Sequence, residues 1–175
     1  MMTVTQWIKN RYTYTEFDGR KIKNILHFSL IWNIFERACC QCNAQINQSH
    51  SIAENLQHES IPSLDKTWIY FKNRYVENAS LTTTFNSFIF KQNNGKETVE
   101  RILLSASPSK KEKIEALLRI IFRLRNNLMH GEKEPQIFYE QDKNFKHANT
   151  FLMDICNVRR DETCPDTSTN RRNTQ

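Results

Sequence analysis

Glycine and proline are scarce in this chain, with 3 and 4 residues among 175. A many-stranded sheet draws on such residues for its frequent turns, so their shortage points away from a sandwich or barrel and toward helices joined by short polar links. Long hydrophobic runs are missing too. The best one, Ile25 to Phe35, is broken by His27, Ser29 and Asn33, and it falls short of the roughly 18 residues that a membrane-spanning helix needs. Met1 to Arg11 has no apolar core of the kind that directs export. The expected location is therefore the cytoplasm, with no membrane partner.

A disulfide framework is also absent from the pattern. The five cysteines, Cys39, Cys40, Cys42, Cys156 and Cys164, are an odd number, and three of them crowd into four positions. Reduced thiols in a cytosolic protein fit that arrangement best. As zinc ligands the crowded three have no second pair of Cys or His following them to complete a site. Thiols packed along a helix are the expected role, and neither a metal nor a cofactor is expected.

What is present suffices for one core. Hydrophobic residues make up 38% of the chain, and the length suits a single domain over residues 1–160. An N-terminal arm over residues 1–20 is expected to precede the core. Tyr12, Tyr14 and Phe17 alternate there with threonines ahead of an Asp18-Gly19 turn, so a short strand or extended segment is expected. Residues 161–175 have almost no apolar content and are expected to form a disordered tail. Net charge is +6, and the tail holds three acids and two arginines, so the remainder carries +7. Such an excess favours polyanions, a class that includes nucleic acid and acidic protein surfaces.

Helical periodicity recurs along the core. Ile25, Phe28, Trp32, Phe35 and Cys39 step by three and four within Lys21 to Ala44, and Leu64, Trp68, Phe71 and Tyr75 repeat the step after Pro62. Shorter helices are expected around Ile52 and Leu56, Leu81 to Ile89, and Thr98 to Leu104, with a last one from about Asn144 to Val158. The expected fold is an all-α, up-and-down bundle of four to six helices. Phe71 to Tyr75 interleaves aromatics with Lys72 and Arg74, which suits base stacking, but aromatics at helical spacing more often fill a core.

The most strongly periodic segment runs through Ile114, Leu117, Leu118, Ile121, Leu124 and Leu128 and closes on Arg125-Asn126-Asn127-Leu128-Met129-His130-Gly131. Its apolar stripe is expected to bury one face, with Gly131 as the stop. Arg125 falls on the flank of that stripe, where an arginine keeps its charge and needs a carboxylate, carbonyl or phosphate partner. Glu36, on a polar row with Ser29 and Asn33, either supplies that carboxylate or faces water. His130 follows five residues after Arg125, about 140° around and about 7.5 Å along an unbroken helix. The two side chains converge only if the helix ends near His130 or if a second subunit brings its own pair alongside.

Arg125, Asn126 and His130 match, position by position, the Arg-polar-x-x-x-His signature of the HEPN superfamily, which this segment resembles. The resemblance covers this helix and, more loosely, the aromatic-rich helix with Trp32 and Glu36. It implies a small helical domain, a homodimer with the two motifs in one cleft, and metal-independent endoribonuclease activity on RNA. It also implies a toxin or phage-defence role, with an antitoxin as a possible inhibitory partner. Other members of the superfamily are noncatalytic, so the alternative is a helical module that binds a nucleotide, nucleic acid or a partner protein.

The chemistry asked of those residues is modest, because RNA carries its own nucleophile in the 2′-hydroxyl. On this reading His130 is the general base or acid, since an imidazole titrates near neutrality. Arg125 clamps the phosphate, where its fork of donors holds the charge that develops in the transition state. Asn126 orients the phosphate or the imidazole. One histidine cannot easily serve both proton transfers, and a two-fold dimer supplies two. In the competing structural reading, Arg125 pairs with Glu36 or a helix-end carbonyl while His130 caps the helix through its dipole.

Overall fold

The computed structural model describes residues 2–12, 22–87, 95–129 and 137–163. The fold is all-α, and the described residues form eight helices, more than the four to six expected: α1 Val4–Tyr12, α2 Lys23–Cys40, α3 Ser49–Leu56, α4 Leu64–Tyr75, α5 Thr83–Asn86, α6 Lys96–Leu104, α7 Lys110–Met129 and α8 Ile137–Thr163. The surplus consists of short helices. A two-residue antiparallel pair, β1 Val76–Glu77 with β2 Ser80–Leu81, follows α4. Its tight turn places Asn78 and Ala79 at positive φ.

At the N-terminus the expected strand or extended arm is a helix over Val4–Tyr12. The reason is local. Thr3 Oγ1 accepts from the Gln6 amide at 3.2 Å while Gln6 Oε1 accepts from the Thr3 amide at 2.8 Å, a reciprocal capping box that outweighs the strand preference of the threonines. Tyr14, Phe17 and the Asp18-Gly19 turn lie outside the described residues, as does the tail from Cys164 onward. Asp161 to Thr163, assigned to that tail, continue α8.

α7 organises the core. The sequence pattern implied one buried face, yet Ala116, Ile120 and Phe122 are as buried as Ile114, Leu117, Leu118, Ile121 and Leu124, so apolar neighbours surround the helix on nearly every side. It packs on α3, α4 and α6. Each buried apolar side chain contributes roughly 1.5–3 kcal/mol relative to exposure. The helix begins at Lys110, with Ser109 just ahead of it. Glu112 Oε2 accepts from the Ser109 amide at 2.9 Å, the Ser109 hydroxyl accepts from the Glu112 amide at 3.2 Å, and Arg101 donates to Glu112 Oε1 at 2.8 Å. These bonds hold the Glu112 carboxyl down to about 2, led by the one from Arg101.

α2 and α8 make the most extensive helix pair. Asp142 on α8 caps the start of α2, accepting from the Asn24 amide at 3.1 Å and from Asn24 Nδ2 at 2.6 Å. Asn149 Nδ2 donates to the Asn24 carbonyl at 2.8 Å. α8 is longer than expected at both ends, running from Ile137 to Thr163. Phe145, Ala148, Phe151, Leu152 and Ile155 point inward, as their spacing requires.

The polar α3 region is tied in by charge. Glu115 is buried on α7 and accepts from Arg119 Nη2 at 2.9 Å and from His50 Nδ1 at 3.0 Å. An ionised carboxylate only accepts, so Nδ1 carries the proton in that contact. Burial raises the proton affinity of Glu115, and the bonds from Arg119 and His50 outweigh it, leaving the carboxyl below its ordinary range. The folded-state pKa is thus depressed. Its stabilising contribution is complete above the unfolded value of about 4 and is lost as pH falls through the folded value. Urea unfolding should therefore show Glu115→Gln less stable than wild type by about 2–3 kcal/mol at pH 7. The gap should narrow under acid, and a gap unchanged at low pH would contradict the assignment.

Candidate functional site

The far end of α7 meets the middle of α2. Phe122, 3% exposed, sits edge-on against Trp32 with ring centroids 4.8 Å apart and against Phe35 at 6.4 Å. Because side chains three apart share a helix face, Arg125 reaches the same indole, and its guanidinium carbon lies 5.7 Å from the Trp32 ring centre. Asn126 secures it from the other side: Arg125 Nη1 donates to Asn126 Oδ1 at 3.1 Å.

No carboxylate neutralises Arg125 among the described residues. Glu36 is engaged elsewhere, its Oε1 accepting from the Ala44 amide at 3.0 Å. It neither pairs with Arg125 nor faces water alone. The chain reverses after α2 through Gln41 and Cys42, at φ 50° and 61°, and the Glu36 side chain ties down the amide that this reversal brings back. Two donors near Arg125 have no hydrogen-bond partner among the described residues: Arg125 Nε and the Trp32 indole Nε1, both buried. A cation beside unfilled donors, bonded among the described residues to the amide oxygen of Asn126, is suited to an anion.

Of the three residues singled out by the motif, Arg125 and Asn126 are in direct contact. His130 and Gly131 lie outside the described residues. Of the interleaved aromatics, Phe71 and Tyr75 fill the core, and Lys72 lies along Trp68 and donates to the Ser105 carbonyl at 2.9 Å. Among the described residues no group of three or more His, Cys, Asp or Glu side chains converges as a metal site, and none of the helices is long and apolar enough to cross a membrane.

No family model, curated protein or solved structure matches the chain. The site is therefore read from its own residues.

Several polar side chains escaped the periodicity reading. Glu115, Arg119, Arg123 and Asn127 form a row at four-residue spacing along α7, and Arg123 is only 2% exposed. The signal was available, since a polar residue every four positions inside a helix apolar all round must itself lie in the interior. On α8, His147 stacks on Tyr70 at 3.9 Å, and the Tyr70 hydroxyl donates to Asn144 Oδ1 at 2.7 Å. Asn144 in turn donates to Gln141. Burial, aided by Lys66 and Lys146, lowers the proton affinity of His147, and burial raises that of Tyr70. These contacts seat the first turns of α8 on α4.

Proposed function

We propose that this protein is a metal-independent endoribonuclease of the HEPN type that works as a homodimer, with Arg125, Asn126 and His130 at the reacting phosphate. The observation that carries this reading is the state of Arg125: a guanidinium fixed by Trp32 and Asn126, with no carboxylate partner among the described residues and a buried Nε left over. Maintaining a cation without a counter-charge beside a core costs free energy that an incoming phosphate would offset.

In the proposed reaction an imidazole of His130 removes the proton of the 2′-hydroxyl. That oxygen attacks the adjacent phosphorus, and the 5′-oxygen leaves with a proton supplied by the second His130 of the dimer. Arg125 holds the equatorial oxygens as negative charge grows on them, while Asn126 keeps the guanidinium in place. The products are a 2′,3′-cyclic phosphate and a 5′-hydroxyl. A toxin or phage-defence role, with an antitoxin to restrain it, follows from the same resemblance.

The test is digestion of bulk RNA in EDTA by wild type, Arg125→Ala and His130→Ala. Wild type should degrade the RNA and both variants should leave it intact. Equal loss with all three would remove both residues from the mechanism. RNA intact throughout would favour the noncatalytic module, which binds a nucleotide, nucleic acid or partner protein through the same cation.

A further inference from the structure

Away from Arg125, two thiols from different helices meet. α2 and α8 run parallel, with Phe28 edge-on against Phe145 at a centroid distance of 4.8 Å and Asn24 bonded to both Asp142 and Asn149. Three helical turns take about eleven residues, so a contact between parallel helices recurs at that interval on both partners. Counting that interval from Phe28 and from Phe145 arrives at Cys39 and Cys156. The register sets the two thiols side by side across the helix pair, where each perturbs the other's proton affinity. Each is only half-buried, whereas Cys40 is fully buried and Cys42 stands on the exposed reversal after α2.

We infer that Cys39 and Cys156 form a reversible disulfide that staples α2 to α8 when the protein meets a hydroperoxide. The two sulfurs are not equivalent. The neighbouring Cys39 lowers the proton affinity of Cys156, whereas Cys156 and burial raise that of Cys39. Cys156 is therefore the attacking thiolate. Its sulfur bonds to one oxygen of hydrogen peroxide, the O–O bond breaks, and the departing hydroxide takes up the proton that Cys156 released, giving water. Cys156 is now a sulfenic acid, oxidised by two electrons. The Cys39 sulfur then attacks it, the S–S bond forms as the S–O bond breaks, and hydroxide leaves with the Cys39 proton as a second water. Two thiols and one peroxide become one disulfide and two waters, and a dithiol reductant reverses the change.

Such a bridge closes a loop of about 120 residues, long enough for the constraint on the unfolded chain to be large. It does not depend on the Arg125 reading. The test uses the full chain, titrated with hydrogen peroxide, alkylated and mapped by mass spectrometry without reduction. The expected species is a Cys39–Cys156 cross-linked peptide about 2 Da below the summed thiol peptides, absent after treatment with a dithiol. Thermal unfolding should rise by about 5 °C or more on oxidation. Cys42→Ser and Cys164→Ser should keep the bridge, and Cys39→Ser and Cys156→Ser should lose it. Recovery of Cys39 and Cys156 as free alkylated thiols while Cys42 or Cys164 oxidises would overturn the inference, as would a bridge to any other cysteine. Because the wild-type peptide map decides by itself, a serine variant that fails to fold does not rescue the proposal.

Discussion

Arg125→Ala is expected to slow RNA cleavage by roughly 100- to 1,000-fold, the usual loss when one donor to a developing oxyanion is removed. Folding should change little, since the side chain is half-buried and its contact with Trp32 is worth about 1 kcal/mol. Arg125→Lys separates charge from shape. It restores a cation at the same place without the planar fork, so activity should return only in part. Single-turnover cleavage of a short RNA, measured beside thermal unfolding of each variant, distinguishes these outcomes. An alanine variant that keeps full activity, or one that loses activity only because it unfolds, would remove the phosphate-clamp role.

Phe122→Ala should have the largest effect on stability, about 3–5 kcal/mol, because it empties the contact between α7 and the Trp32–Phe35 pair of α2. For a chain of this size that corresponds to a fall in melting temperature on the order of 10 °C. A second consequence tests the link between core and site. Trp32 is both the ring that Phe122 packs against and the ring beneath the Arg125 guanidinium. The folded fraction of the variant should therefore cleave RNA more slowly than wild type, and Phe122→Leu should recover most of the loss. Cleavage per folded molecule that is unchanged in Phe122→Ala would show that Trp32 does not position Arg125.

Much of the fold was legible because burial leaves a periodic trace. Ile25, Phe28, Trp32 and Phe35 on α2, Val99, Ile102 and Leu103 on α6, and the α7 stripe from Ile114 to Leu124 are all interior, as their spacing implied, while Leu128 at the end of that stripe is partly buried. Local capping was legible in principle as well. Thr3 with Gln6, and Ser109 with Glu112, are both Ser/Thr-x-x-Gln/Glu pairs, but the threonine-rich surroundings suggested a strand in the first case.

Contacts between distant segments left no such trace. That Glu36 would be taken by Ala44 depends on two non-glycine residues entering the left-handed region after α2, which their identities do not signal. His50 finds Glu115 only because α3 packs across α7. The candidate site was partly readable. Arg125 and Asn126 are neighbours in sequence and bond to each other, while the role of Trp32 as the platform for Arg125 needed the packing of α2 on α7 to become visible.

End-group analysis of the cleaved RNA tests the central claim most directly. Wild-type protein in EDTA should leave 2′,3′-cyclic phosphate and 5′-hydroxyl ends, and His130→Ala and Arg125→Ala should leave neither. Ends bearing a 5′-phosphate, or cyclic-phosphate ends produced equally well by both variants, would contradict cleavage by the RNA's own 2′-hydroxyl under the control of Arg125 and His130.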